Sequence, residues 1–247
     1  MKNLILAMAL MAGIVISGCS EDDDQLPLTV DTSPIEMLAG DSILVEAKSS
    51  HNITFDLNNK YVGNIDSLGW FKPVRIGEGD IMVSSNGETR SIPFEVNPKY
   101  NTYTEPKINW DLQEDDFRQN NDDFNYMGDG MYYKPYGSGK SILAYSFEKG
   151  IVDSFILYFK AEYFESVSGF IMERYYPAGY TEEIFVFRDN LVSDLAETYV
   201  SLSTDIFFLD NELVFSVLYS PANALKNAQS YQEQIKLLKR EESLFKK

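Results

Sequence analysis

The pattern that most restricts the fold is a series of short segments in which every second residue is apolar. Four segments alternate Ile, Val, Leu, Phe or Ala with polar residues: 43–47, 53–57, 81–83 and 92–96. A period of two places the apolar side chains on one face of a β-strand. The turn formers Asn58-Asn59 and Asn86-Gly87 separate the segments, and the second is typical of a two-residue hairpin. The alternation therefore predicts a β-sandwich over residues 28–98.

Short motifs in the same stretch support this interpretation. Leu-Ala-Gly-Asp-Ser stands at 38–42, Ile-Asp-Ser-Leu-Gly-Trp at 65–70, Gly-Glu-Gly-Asp-Ile-Met-Val at 77–83 and Phe-Glu-Val-Asn-Pro at 94–98. In order and spacing they resemble the bacterial immunoglobulin-like domain of group 2 (Big2), although Asp80 stands where the family has a small residue. The resemblance implies an immunoglobulin-like sandwich that acts as a spacer or stalk in surface proteins and adhesins.

The amino terminus is typical of a secretory signal. Lys2 precedes Leu4 to Ile16, a run of 13 residues without a charge. That length is short for a membrane span and suits the h-region of a signal peptide. Ile-Ser-Gly-Cys at 16–19 resembles a bacterial lipobox, in which the cysteine is diacylated and the signal is cut before it. We therefore predict a signal peptide over 1–18 and lipidation at Cys19; an ordinary signal peptide with an incidental cysteine is the alternative.

An acidic tether follows the cysteine. Residues 19–27 include Glu21 and Asp22 to Asp24, a charge run that favours a hydrophilic linker. The run resembles the acidic export signal of Bacteroidetes lipoproteins. The resemblance implies an outer-membrane protein exposed at the cell surface, with the periplasmic face as the alternative. Two or more acyl chains anchor a protein stably without spanning the bilayer.

Composition excludes several classes of function. The chain has 247 residues, one cysteine, one histidine and a formal net charge of −17. One cysteine cannot form an internal disulfide framework, and this excess of acids repels nucleic acid. With only His51, the sequence offers no set of zinc ligands and no histidine-based catalytic group. We expect no catalytic residues, no metal and no cofactor, and leave open whether the acidic stretch 111–123 binds a cation or is a solvated loop.

The composition changes after a polar, proline-bounded stretch at 97–106, which we take as a domain boundary. Residues 99–221 are rich in tyrosine and phenylalanine. Their patterns predict four zones in order: a helix or loop over 109–120, two or three strands over 131–160, a helix over 162–174 and further strands over 181–219. A helix followed by strands, occurring twice, predicts an α+β domain with antiparallel sheet. Scattered aromatics such as Trp110, Tyr145 and Tyr219 resemble a domain of Bacteroidetes lipoproteins without an assigned activity.

Aromatic residues near turns are the candidate binding residues. Flat rings with a polar edge stack on sugars and anchor protein contacts. We therefore predict that a ligand, either a glycan or a surface protein, binds at Trp110, Tyr132, Tyr133 and Tyr136. The same residues could equally form the core of a tyrosine-rich sheet.

The last segment, residues 222–247, predicts an amphipathic helix. Its apolar residues recur at near-heptad steps: Leu225, Ala228, Tyr231, Ile235, Leu238 and Phe245. The stripe can pack on its own domain or dock a partner. We thus expect a non-catalytic, lipid-anchored envelope protein, mainly β, whose Big2-like stalk presents a recognition domain. The alternatives are a structural subunit of an envelope assembly that docks through this helix, and a glycoside hydrolase that uses a pair of carboxylates.

Overall fold

A computed structural model describes residues 26–136, 141–204, 206–209 and 212–222. The predicted signal peptide, Cys19, most of the acidic tether and the helix predicted after Ala222 lie outside these residues. Among the residues described, no helix is both long enough and apolar enough to cross a membrane.

Residues 28–98, the sandwich region, form nine short strands in three sheets. The strands are β1 (Thr29–Val30), β2 (Ile35–Leu38), β3 (Ile43–Leu44), β4 (Ala47–Lys48), β5 (Thr54–Leu57), β6 (Gly63–Ile65), β7 (Trp70–Pro73), β8 (Gly77–Ser85) and β9 (Glu88–Asn97). A four-stranded sheet has the order β2-β9-β8-β5, a three-stranded sheet has the order β3-β7-β6, and β1 pairs with β4. Strand β2 runs parallel to β9, and the other pairs are antiparallel.

The two larger sheets share one apolar core. Phe71 of β7 and Phe94 of β9 are both buried, with ring centroids 4.8 Å apart. The long hairpin β8–β9 closes on Asn86-Gly87, whose φ angles of 48° and 82° fit the two-residue turn predicted from the sequence. Alternating residues that face this core explain why the period of two is visible in the sequence.

Residues 99–222, the sheet region, contain two helices and nine strands. Their order is α1 (Glu114–Asn120), β10 (Asn125–Gly128), β11 (Met131–Tyr136), β12 (Ser141–Glu148), β13 (Ile151–Lys160), α2 (Phe164–Arg174), β14 (Tyr176–Tyr180), β15 (Ile184–Arg188), β16 (Thr198–Ser203), β17 (Phe207–Leu209) and β18 (Glu212–Pro221). All the strands join one antiparallel sheet of order β10-β11-β12-β13-β18-β16-β15-β14, and β17 pairs with β18.

The strand order agrees with an internal repeat of a helix followed by strands. Helix α1 precedes the four strands of one half of the sheet, and α2 precedes the strands of the other half. The halves meet where β13 pairs with β18, so the first strand of each half, β10 or β14, lies at an outer edge. The predicted repeat of a helix and then strands agrees with this order, although each half has more than the three strands expected.

Helix α2 covers one face of the sheet. Its buried residues Val167, Phe170 and Ile171 recur at three- and one-residue steps and pack on Phe159 and Phe215. The helix ends at Arg174 because Tyr175 is extended (φ −122°, ψ 149°) and Pro177 follows. Helix α1 buries only Phe117 and has three acids in its first turn, where they complement the helix dipole. The prediction of a mainly β protein with antiparallel sheet is confirmed.

Candidate functional site

Arg75 joins the sandwich region to the sheet region. This buried side chain donates from Nε to the carbonyl oxygen of Tyr175 (3.1 Å) and from Nη1 to that of Tyr61 (3.0 Å). Its guanidinium carbon lies 4.6 Å from the ring centroid of Tyr176, a cation–π distance. The planar fork of an arginine can make all these contacts together, so one residue orients the end of α2 against the sandwich region.

Glu173, near the end of α2, makes a second set of contacts at this junction. Its side chain is buried, and its two carboxylate oxygens accept hydrogen bonds from the backbone N–H groups of Lys99 and Tyr100, each at 3.1 Å. The carbonyl oxygen of Glu173 accepts from the N–H of Ile76 at 2.7 Å. The segment that leaves β9 is therefore held to α2 by charge-assisted hydrogen bonds.

Two further contacts tighten this junction. The Tyr61 hydroxyl donates to the carbonyl oxygen of Arg174 at 2.5 Å, and burial raises the pKa of Tyr61 to about 12, so the hydroxyl keeps its proton. A Cβ at Gly169 would lie 2.5 Å from the Tyr100 ring, so only glycine lets this ring pack on α2. The two regions thus form one packed unit with no free linker between them.

A tyrosine cluster surrounds Glu105 beside the junction. The Oε1 atom of Glu105 accepts hydrogen bonds from the hydroxyls of Tyr175 (2.6 Å) and Tyr219 (3.0 Å). The Tyr103 hydroxyl lies 2.7 Å from that of Tyr219. Burial raises the pKa of Tyr103, Tyr175 and Tyr219 above its ordinary value, so all three phenols stay protonated. The cluster fixes residues 103–105 to the sheet, and the Glu105 carboxylate is engaged in structure.

The four predicted binding residues do not form one exposed surface. Trp110 is half-buried, stacks on Phe155 with centroids 5.2 Å apart, and donates from Nε1 to Thr198 Oγ1 at 3.3 Å. Register places Tyr132 and Tyr136 on the sheet face that packs with Trp110, and Tyr133 on the opposite face. The binding role of these residues stays a prediction.

An exposed aromatic surface lies instead at the β10 edge of the sheet. Tyr126 is 62% exposed, and its ring centroid lies 5.0 Å from that of Tyr132. Tyr132 itself is buried, and its hydroxyl donates to Glu114 Oε1 at 2.7 Å. Burial, and then the hydrogen bond to this carboxylate, raise the pKa of Tyr132 to about 12. Tyr132 therefore packs against the exposed Tyr126 ring and also orients the Glu114 carboxylate through a hydrogen bond.

A lysine side chain lies on β11, the strand next to this edge. Lys134 donates from Nζ to Asp123 Oδ2 at 2.7 Å and lies 4.3 Å from the Phe124 ring centroid. Met127 is exposed next to Tyr126. We call Tyr126, together with the polar side chains Glu114 of α1, Lys134 of β11 and Asp123 just before β10, the β10 surface; an exposed aromatic ring and polar groups are the chemistry that recognises sugars.

The sequence contains a turn signal for this surface. Strands β10 and β11 are joined by Asp129-Gly130, with φ angles of 50° and 74°, a strong hairpin dipeptide. That turn predicts a strand over 125–128 and therefore an edge position for Tyr126. Among the residues that the structure describes, no three His, Cys, Asp or Glu side chains are grouped so as to hold a metal ion.

No family model matches the chain, and no curated protein matches its sequence. Among solved structures, domains 5–6 of the S-layer protein SbsC match at a TM-score of 0.26 and 10% identity, over 78% of this chain and 83% of that one. The SGBP-B protein of the Bacteroides ovatus mixed-linkage glucan utilization locus, in complex with a mixed-linkage heptasaccharide, matches at 0.25 and 9%, over 77% and 69%. A SusE-like surface-located polysaccharide-binding protein from the Bacteroides thetaiotaomicron heparin utilisation locus matches at 0.23 and 6%, over 77% and 34%. Likeness at this level carries no inference about function.

Proposed function

We propose that the chain is a non-catalytic, lipid-anchored envelope protein in which a Big2-like sandwich holds a recognition surface away from the membrane. The junction built by Arg75 and Glu173 is the observation that carries this proposal. A spacer holds a recognition surface at a fixed position only when the two are rigidly joined. Buried charge-assisted hydrogen bonds supply that rigidity. The anchor is Cys19, and the display is at the outer face of the outer membrane.

The ligand is a glycan that stacks on Tyr126. An exposed ring gives a flat apolar face. Glu114 accepts a hydrogen bond from Tyr132, the ring that packs on Tyr126, and Lys134, on the same strand as Tyr132, supplies a donor. Two carboxylates that could serve a hydrolase are engaged in structural contacts: Glu105 accepts from two tyrosine hydroxyls, and the buried Glu173 accepts from two backbone N–H groups. This favours binding over hydrolysis.

Ligand recognition is tested on a glycan array with the mature chain and two variants. Tyr126→Ala should remove the glycan signal, because the stacking ring is lost. Tyr180→Ala is the matched control, since Tyr180 is 75% exposed on the opposite edge strand β14. Binding that survives Tyr126→Ala, or that disappears equally in both variants, would rule out the β10 surface, and a bound host protein instead of a glycan would change the ligand class.

Anchoring and display need a separate test in cells. Wild-type protein should incorporate labelled fatty acid and remain with the membrane, and Cys19→Ala should do neither. Protease added to intact cells should degrade the sheet region while a periplasmic control protein stays uncut. Full protection of the chain would place it on the periplasmic face.

A further inference from the structure

One end of the sandwich region carries a group of exposed apolar side chains. We call Leu26, Leu44, Leu68 and Trp70 the far-end patch; Leu68 is 73% and Trp70 is 39% exposed. Leu44 pairs with Trp70 across β3 and β7, so both side chains lie on the same sheet face. Leu44 and Leu68 line one groove of about 550 Å³.

Leu26 belongs to this end because of its backbone contacts. Its carbonyl oxygen accepts a hydrogen bond from the N–H of Ser50 at 3.2 Å, and the neighbouring His51 lines the same groove as Leu68. Single exposed leucines are common on protein surfaces. Four large apolar residues, two of which line this groove, lie toward one end of a small sandwich, and such patches mark contact surfaces.

The far-end patch points away from the sheet region. In the hairpin β6–β7, the carbonyl oxygen of Val62 accepts from the N–H groups of Val74 and Arg75 at the junction end. The turn Asp66–Gly69 closes the other end of the hairpin. The strands between these ends separate them by about 13 Å, at roughly 3.3 Å per residue.

The short sequence distance between the far-end patch and Cys19 indicates what this end of the sandwich region faces. Leu26, the first described residue, is part of the patch, and Cys19 stands only seven positions earlier. Seven residues span at most about 25 Å even when fully extended. If Cys19 is acylated, Leu26 therefore lies within that distance of the bilayer, and the end of the sandwich region that contains it is the end closer to the anchor along the chain.

The chemistry of the patch fits a lipid surface. Leucines enter the boundary between headgroups and acyl chains, and tryptophan prefers the headgroup level. The groove is lined by both Glu46 and Lys48, so its charge has no single sign. This balance suits zwitterionic headgroups better than an anionic surface.

We propose that Leu26, Leu44, Leu68 and Trp70 form a lipid-contacting surface that seats the sandwich region on the membrane. The inference rests on the lipid anchoring in the proposed function, and it adds a second, non-covalent membrane contact. That contact would fix the tilt of the molecule, which a covalent lipid anchor alone leaves free.

The test uses Cys19, the chain's only cysteine. The chain from residue 19 onward is coupled through this thiol to phosphatidylcholine vesicles that contain a maleimide lipid and brominated acyl chains. Bromine quenches tryptophan only at close range, and the difference between wild type and Trp70→Phe isolates Trp70 emission from that of Trp110. We expect the Trp70 emission to be mostly lost on coupling, and the remaining Trp110 emission to be unchanged.

A second variant tests the patch as a whole. Leu68→Asn lies in an exposed turn, so it should fold normally and reduce the quenching of Trp70. Trp70 emission that is unquenched on coupled vesicles, or equal quenching of Trp110, would overturn the inference, and so would shielding of Trp70 by a second copy in the absence of lipid. The coupling supplies the anchor chemically, so these outcomes are independent of whether cells acylate Cys19, which the fatty-acid labelling decides.

Discussion

Each region of the molecule has one tryptophan, and the two differ in what surrounds them. Trp70 lies on the outer face of the three-stranded sheet in the sandwich region and is partly exposed. Trp110 stacks on Phe155 in the sheet region and donates a hydrogen bond to Thr198. The long strands β8 and β9 of the sandwich region are buried on one face, whereas β13 and β18 are buried on both faces. Of the two tryptophans, Trp70 is therefore a surface residue of its region, and Trp110 packs against the core of its region.

The largest expected effect follows from this contrast. Trp110→Ala should lower the free energy of unfolding by about 3 kcal/mol, because a packed aromatic ring is removed from a core. Trp70→Ala, the matched variant in the sandwich region, should cost about 1 kcal/mol or less, as expected for a partly exposed ring. Urea unfolding measures both, and equal losses would show that the two rings are buried alike.

The junction should give the next largest effect. Glu173→Ala leaves the part-buried N–H groups of Lys99 and Tyr100 without their carboxylate acceptor, so we expect a loss of about 2 kcal/mol in the free energy of unfolding. Hydrogen exchange at these two amides should speed up in the variant. Glu165→Ala, on the exposed side of the same helix, is the control and should change neither quantity. Unchanged exchange in Glu173→Ala would contradict the assigned hydrogen bonds.

A smaller effect of opposite sign is expected at Asp153. Burial raises the pKa of this carboxyl above 3.8, and its Oδ1 atom has no hydrogen-bond partner among the described residues. The native state therefore binds the proton more tightly than the unfolded chain, and stability falls as pH rises through the folded-state pKa. Asp153→Asn should raise the Tm at neutral pH.

The gain at Asp153 should disappear in acid, below both pKa values, because the carboxyl is then protonated in both states. Melting curves across this pH range measure it. Asp116→Asn, at an exposed position on α1, is the control and should show no such trend. A Tm that is lowered by Asp153→Asn at neutral pH would mean that the ionised carboxylate stabilises the fold.

Much of the sandwich region could be predicted from its sequence, for a physical reason. One buried face per strand leaves a visible period of two, and Asn86-Gly87 specifies its turn locally. In the sheet region, strands such as Ile151–Lys160 are buried on both faces, so their sequence shows only an apolar run. That run predicts a strand but gives no information on which element covers each face.

The candidate site was harder to predict than the fold. Trp110, Tyr132 and Tyr136 share the composition of a ligand platform, but their neighbours across the sheet, such as Phe155, come from distant parts of the chain. Contacts of this kind depend on topology, which local pattern does not encode. The junction was missed for the same reason: Arg75 bonds to Tyr175, 100 residues away, and Glu173 bonds to Lys99, 74 residues away.

The central claim is that the sandwich region and the sheet region act as one rigid display unit. The most direct test is a distance distribution between spin labels at Glu88→Cys and Gln119→Cys, two exposed positions on opposite sides of the junction, in a Cys19→Ser background. The account predicts a single narrow distance that broadens when Arg75→Ala and Glu173→Ala are added. A broad distribution in the parent chain would show a flexible joint and contradict the claim.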